Sequence, residues 1–126
     1  MEVLHNGIAW FEIPVVDFDR AKKFYSNIYD YEMPEMNMGP VKMGFLLHDR
    51  DKGGIGGAIV QGESYIPSKT GAKVYLNAGN DLTVVLDRVE GAGGKVVVGK
   101  TAVGIMGHIA IIEDTEGNSI SLHSVN

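Results

Sequence analysis

The chain has 126 residues, a common size for one domain, and its 44% hydrophobic and 21% charged residues exclude a disordered chain. It contains no cysteine, which excludes disulfides, thiol nucleophiles and thiolate metal sites. The net charge of −5 argues against nucleic acid as a partner, because such binding needs a basic surface. The chain has no apolar run of the ~20 residues that a membrane helix needs, and it has no signal-peptide pattern. We therefore expect a cytoplasmic protein with no membrane partner.

The first half of the chain predicts a strand, a helix and three further strands. Asp17 follows an apolar run rich in β-formers and is suited to cap a helix. Apolar residues three and four positions apart then predict a helix with one apolar face, ending near Ile28. The predicted strands span 7–16, 31–36, 41–47 and 57–61, with a turn at 49–54. The charged residues off the apolar face are expected to be solvated; they are Asp19, Arg20, Lys22 and Lys23.

The second half predicts the same order of elements. Asn80 or Asp81 is suited to cap a helix that ends near Glu90, where a run of glycines stops it. The predicted strands span 73–77, 95–98, 108–113 and 119–125, with a turn at 114–118. The halves correspond at an offset of 63 to 65 residues. Asp17 matches Asn80, and the turn residues Asp49-Arg50-Asp51 match Asp114-Thr115-Glu116. We predict one α+β domain, 1–126, made of two βαβββ modules at about 5–62 and 70–126, because each half alone is too small for a good core.

Two segments carry a resemblance to a known family. The run from Trp10 to Tyr25, WFEIPVVDFDRAKKFY, resembles the opening motif of the vicinal oxygen chelate superfamily, which includes glyoxalase I, bleomycin-resistance proteins and extradiol dioxygenases. The segment 113–118, EDTEGN, is similar to its closing D-P-x-G-N turn, with Thr115 in place of proline. The start of the chain and the segment 53–57, GGIGG, look most like the predicted lactoylglutathione-lyase-related subgroup.

The resemblance implies a glyoxalase-like fold, in which the sheets of the two modules curl around a shared cup. In the enzymes of the family the cup holds a divalent metal, and dimers are common. We therefore expect a homodimer that binds a small-molecule ligand. The superfamily contains many activities and some pure binders, so fold alone does not fix the reaction.

The resemblance places the four metal-ligand positions at residues that suit a metal poorly. Indole and glycine offer no ligand, a lone serine is weak, and a lysine ammonium repels a cation. The positions are Trp10, Lys73, Ser121 and either Gly56 or Gly57. The sequence therefore predicts no metal site and no cofactor.

The four histidines do not supply an alternative ligand set. No two of them have the i, i+2 or i, i+4 spacing of paired ligands; they are His5, His48, His108 and His123. We interpret His5 and His48 as solvated residues, whereas the sequence leaves open which way His108 faces.

Strand alternation predicts which side chains line the cup. If Trp10 faces the cup, so does Glu12, and an apolar set that packs on the helices lies opposite: Phe11, Ile13, Val74, Leu76, Ile120 and Leu122. The second module then contributes Lys73, Tyr75, Asn77, Ser119, Ser121 and His123.

Each polar residue of this face has two interpretations. Trp10 either fills space or stacks on a ligand. Glu12 and Lys73 either form a buried ion pair with no further role, or act as a base and an anion anchor. Tyr75 and His123 either lie at the surface or hydrogen-bond a ligand.

Three functions remain open at this point. The first is metal-independent binding of a small polar or aromatic metabolite in the cup. The second is a lyase or isomerase related to lactoylglutathione lyase, with Glu12 as the catalytic base. The third is drug sequestration of the bleomycin-resistance type, against which the cation Lys73 argues.

Overall fold

The computed structural model describes all residues from Met1 to Asn126 and contains two helices and eight strands. The first module comprises β1 (Phe11–Pro14), α1 (Phe18–Tyr29), β2 (Glu35–Met38), β3 (Val41–Phe45) and β4 (Gly57–Gln61). The second comprises β5 (Tyr75–Asn77), α2 (Thr83–Val89), β6 (Lys95–Ala102), β7 (His108–Glu113) and β8 (Ser119–Ser124). Neither helix is both long and apolar enough to cross a bilayer.

Each module forms its own four-stranded mixed sheet. The strand order is β1-β4-β3-β2 in the first sheet and β5-β8-β7-β6 in the second. The first strand of each module runs parallel to its last strand, and the other neighbours are antiparallel. The predicted α+β fold of two βαβββ modules is therefore confirmed.

Local sequence signals explain where α1 begins and ends. The Asp17 side chain accepts a hydrogen bond from the Arg20 amide at 3.1 Å and caps the helix as predicted. Asp30 ends it in the left-handed conformation with φ of 52°, a region that Asp and Asn enter more easily than most residues.

Several predicted boundaries are wrong by two to four residues. Strand β1 spans Phe11–Pro14 and not 7–16, β5 begins at Tyr75 and not at 73, and β6 extends to Ala102 and not only to 98. The strand expected at 31–36 begins only at Glu35, because the Tyr31 hydroxyl donates to the Phe45 carbonyl at 2.8 Å and holds the preceding segment as a connection. Helix α2 begins at Thr83, and Asp81 accepts from the Thr83 amide at 2.9 Å. Neither predicted cap, Asn80 or Asp81, is at the N-cap position, which Leu82 occupies, but Asp81 does accept from the first amide of the helix.

The two modules share one hydrophobic core. A single cluster of 19 buried residues takes apolar side chains from both sheets and both helices, and the helices contact each other. Ile13, Leu76, Ile120 and Leu122 are all buried in this cluster, as the strand alternation predicted. The main core therefore lies on the helix side of each sheet. On the opposite face of the first sheet, Met43, Ala58 and Val60 form a small second buried cluster, against which Phe45 and Tyr65 pack.

The modules meet tightly where the turn Asp114–Asn118 packs against the start of α1, a contact that we call the closed junction. Glu116, whose side chain is fully buried, accepts from the amides of Val16 and Asp17 at 3.0 and 2.7 Å. Its carboxylate also pairs with Arg20 Nε at 2.7 Å. Burial raises the pKa of Glu116, but the bond from Arg20 and the two amides outweigh burial and lower it below its ordinary value.

Asp114 forms the second half of the closed junction. Its carboxylate accepts from the Tyr25 hydroxyl at 2.7 Å and from the amides of Glu116 and Asn118 at 2.8 and 2.9 Å. Asn118 in turn donates to the Pro14 carbonyl at 2.7 Å. Burial, followed by the charge of Asp114, raises the pKa of Tyr25 well above its ordinary value, so this hydroxyl stays a proton donor.

The prediction that the charged side of α1 is only solvated is wrong for Arg20. Asp19 and Lys23 are exposed as expected, but the half-exposed Arg20 donates to Glu116 through both Nε and Nη2. Its pairing depends on a turn 96 residues further along the chain, which helical periodicity cannot detect.

The repeat provides a second contact, in which the connection of the first module faces the helix of the second. This contact is much looser, and we call it the open junction. It lies between the connection 47–56 and the start of α2, and it leaves a cleft of about 700 Å³. Asp49, the counterpart of Asp114 in the repeat, is exposed and accepts from the Asp51 and Lys52 amides of its own turn at 3.1 and 3.3 Å.

Candidate functional site

Three side chains form a polar and aromatic group on the face of the first sheet that points away from the helices. Glu12 accepts hydrogen bonds from the Tyr65 hydroxyl at 2.9 Å and from Trp10 Nε1 at 3.3 Å. The Trp10 ring, 40% exposed, packs edge-to-face on Phe45 with the ring centroids 6.2 Å apart. The bond to Glu12 and its negative charge raise the pKa of Tyr65, so Tyr65 remains a neutral donor beside an ionised acceptor.

The corresponding face of the second sheet carries the other predicted site residues. Tyr75 lies opposite Ser121, and Asn77 lies opposite His123, in the parallel register of β5 and β8. Tyr75 is 51% exposed, Ser121 is buried, and His123 contacts the Met106 carbonyl through Nε2.

Trp10, Glu12 and the residues Lys73 and Tyr75 line three different clefts, and the cleft of Glu12 includes Ser119 of the second module. Trp10 lines a cleft that belongs wholly to the first module, together with Met36 and Phe45. Lys73 and Tyr75 line another of about 260 Å³, which includes Phe11.

The interpretation of Glu12 and Lys73 as a buried ion pair is wrong. Both residues are exposed, and no salt bridge joins them, because the faces that carry them do not meet within the chain.

The positions that correspond to the family's metal ligands do not fit a divalent ion. Gly56 packs its backbone against the His48 ring, and a Cβ added there would overlap the imidazole. Trp10, Lys73 and Ser121 supply no carboxylate or imidazole, and no group of three His, Asp or Glu side chains is arranged for a metal. The residues at these positions therefore do not form a ligand set for a divalent metal.

The structure also places the remaining histidines. His5 is exposed. His108 shares its strand face with Ala110 and Ile112, which are fully buried on the helix side, so it points away from the predicted site. His48 lines the cleft of the open junction.

Sequence reasoning missed the residues that contact Glu12 and those that line the open junction. Tyr65 lies in the connection between the modules, where no periodicity indicates a direction. Arg88 lies on α2 among polar residues that the pattern assigns to solvent, yet it lines the open cleft. Only the packing of the modules brings these side chains to a site.

Comparison with known proteins identifies the family. The model of the Glyoxalase/Bleomycin resistance protein/Dioxygenase superfamily matches residues 7–122. A glyoxylase-like domain-containing protein of Didymella fabae is 32% identical over 122 residues, covering 93% of this chain and 92% of the relative.

Two solved structures show that this fold occurs in proteins of different kinds. The E144Q mutant of glyoxalase I from Zea mays has a TM-score of 0.69 at 20% identity, over 92% of this chain and 46% of that one. TnmS3, an antibiotic binding protein from Streptomyces sp. CB03234, has a TM-score of 0.66 at 19% identity, over 99% of this chain and 100% of that one. At these identities the similarity establishes the fold alone. By its sequence and its fold, the chain belongs to the Glyoxalase/Bleomycin resistance protein/Dioxygenase superfamily.

Proposed function

We propose that this protein binds a small polar or aromatic molecule without a metal, on the sheet face that carries Trp10 and Glu12. The observation that supports this most directly is the incomplete hydrogen bonding of the Glu12 carboxylate. Its carboxylate has two neutral donors, from Trp10 and Tyr65, and no cationic partner in the chain. A carboxylate has about four acceptor sites, so Glu12 retains capacity for a donor group of a ligand.

The aromatic ring of Trp10 links this acceptor to an exposed apolar cleft. Trp10 is 40% exposed, packs on Phe45, and lines that cleft together with Met36, which is 48% exposed. An exposed indole bonded to a carboxylate suits an aromatic molecule that carries a hydrogen-bond donor.

We further propose that a second copy of the chain completes the site as a homodimer. The uncovered face of the first sheet is apolar and acidic, and that of the second carries Lys73, Tyr75 and His123. In a dimer with a two-fold axis, the first sheet of each copy would face the second sheet of the other copy. Lys73 would then lie opposite Glu12 of the other copy. Exposed apolar side chains on both faces, such as Met38 and Tyr75, favour such a contact.

The binding proposal is tested through Trp10, the only tryptophan in the chain. Its fluorescence is titrated with a panel of aromatic amines, aromatic acids and antibiotics. We expect at least one compound to change the emission. Glu12→Gln and Tyr65→Phe should weaken the binding of that compound about tenfold or more, since a hydrogen bond to a charged group is worth about 1.5–3 kcal/mol. Glu32→Gln, which removes another exposed carboxylate, is the matched control and should bind like the wild type.

Two results would contradict the proposal. One is binding that disappears after treatment with EDTA and returns with a divalent metal. The other is equal affinity of the wild type and the Glu12→Gln variant. Dimerisation is tested separately by light scattering at micromolar concentration, where the mass of a single 13.6 kDa chain would exclude the homodimer.

The pairing of Glu12 with Tyr65 also supports a second candidate, a lyase or isomerase related to lactoylglutathione lyase. An ionised carboxylate 2.9 Å from a neutral phenol offers a base and an acid side by side. Assays for the formation and breakdown of lactoylglutathione separate the two candidates. A Glu12→Gln variant that still binds but no longer turns over favours the enzyme, whereas absence of turnover in the wild type favours the binding protein.

A further inference from the structure

The open junction contains a cleft of about 700 Å³ beside α2, which borders the cleft of Trp10 through His48, Gly54 and Ile55 but includes neither Trp10 nor Glu12. This volume lies within the range of small-molecule sites, which favour boundaries between packed units. Apolar side chains from both modules form its walls, namely Tyr29, Leu47, Ile55, Ala78, Val84 and Val85. A ligand here would contact the two modules at once.

The carboxylates of this cleft already have partners. Asp81 accepts from the Thr83 amide at 2.9 Å and from Lys100 Nζ at 3.0 Å, and the Thr83 amide, followed by Lys100, lowers its pKa to about 2. Asp49 accepts from two backbone amides of its own turn and lies 3.8 Å from Lys52 Nζ. Each acid is therefore matched by a lysine, Asp81 by Lys100 and Asp49 by Lys52.

The donors of the cleft, in contrast, are incompletely used. Arg88 donates from Nη1 to the Ile28 carbonyl at 3.2 Å and forms no salt bridge, so most of its guanidinium is free. Asn77 uses its carbonyl to accept from the Gly79 amide at 2.8 Å, which leaves its NH₂ group without a protein acceptor. A guanidinium and an amide NH₂ beside apolar walls form a suitable site for an organic anion.

We propose that the open junction is a second binding site, which takes a small organic acid with an apolar or aromatic body. The acid group contacts Arg88 and Asn77, and the body packs on Val84 and Leu47. His48 donates from Nδ1 to the Leu46 carbonyl at 3.1 Å, which leaves Nε2 for a hydroxyl of the ligand. The site borders the cleft that Trp10 lines, but it contains neither Trp10 nor Glu12.

The test uses two probes of similar shape and opposite charge, phenylbutyrate and phenylbutylamine, titrated into ¹⁵N-labelled protein and followed by NMR. We expect phenylbutyrate to shift the amides of residues 79–88, a segment that does not line the cleft of Trp10. It should bind about tenfold more tightly than the amine, as expected for one charge-assisted contact. Arg88→Met should weaken phenylbutyrate by a similar factor. Lys23→Met removes an exposed cation on α1 outside the cleft and should leave the affinity unchanged.

A second pair of variants avoids any effect of Arg88 on the packing of α1. Val84 is 57% exposed on the cleft wall, so Val84→Asp and the neutral Val84→Asn should both fold. The proposal requires that Val84→Asp weakens phenylbutyrate several-fold more than Val84→Asn does. Tighter binding of the amine, equal affinities of these two variants, or shifts confined to the region of Trp10 would each overturn it.

Discussion

The two junctions between the modules derive from the same repeat and yet differ in almost every contact. In the closed junction, Asp114 and Glu116 are buried. Glu116 accepts from two backbone amides of the opposite module, and Asp114 accepts from its Tyr25 hydroxyl. In the open junction, Asp49 and Asp51 are exposed, and Asp49 bonds only within its own turn. The difference shows that a duplicated turn stabilises the interface only where its carboxylates reach across it.

Removal of Asp114 should give the largest effect of all. Asp114→Ala leaves the Tyr25 hydroxyl and two buried amides without an acceptor, so we expect a loss of about 3 kcal/mol or more in the free energy of unfolding. The matched change Asp49→Ala frees amides that reach water and should cost about 1 kcal/mol or less. Denaturant unfolding of both variants measures the difference, and equal losses would show that the junctions contribute alike.

The pH dependence of stability should distinguish the junctions next. The folded-state pKa of Glu116 lies below its ordinary value of 4.5, so its stabilisation is complete above that value and is lost as the pH falls through the folded-state pKa. We expect Glu116→Gln to cost about 2 kcal/mol at neutral pH and progressively less below pH 4.5.

Asp51→Asn is the matched control for Glu116→Gln, since Asp51 occupies the repeat position of Glu116. It should stay within about 0.5 kcal/mol of the wild type across the same pH range. Unfolding curves from pH 7 to pH 3 provide the measurement, and a constant difference between Glu116→Gln and the wild type would contradict the role of its ionisation.

The smallest effect is expected outside both junctions, at Lys73. Within one chain Lys73 is exposed and forms no salt bridge, so Lys73→Met should change the free energy of unfolding of the monomer by less than about 0.5 kcal/mol. Its effect on the proposed dimer is measured separately, by light scattering. Lys22→Met on α1, which removes a 3.7 Å surface contact with Glu35, should be similarly mild. A loss of several kcal/mol for Lys73→Met alone would restore the buried ion pair that the sequence had suggested.

The sequence predicted the elements where the signal is local. The apolar stripe of α1 and the alternation through Ile13, Leu76 and Leu122 each depend on neighbours within one element, and each is confirmed. The start of β2 and the partner of Arg20 were missed, because Tyr31 and Arg20 are held by residues elsewhere in the chain.

By itself, the sequence determined two βαβββ modules, their order of elements and the helix-facing side of each strand, since these follow from side-chain periodicity and the repeat. Only the tertiary structure decided that Glu12 meets Tyr65 and not Lys73, and that one junction closes while the other leaves a cleft. These outcomes depend on how the shared core orients one module against the other. That orientation brings together side chains such as Tyr25 and Asp114, 89 residues apart in sequence, for which no local pattern exists.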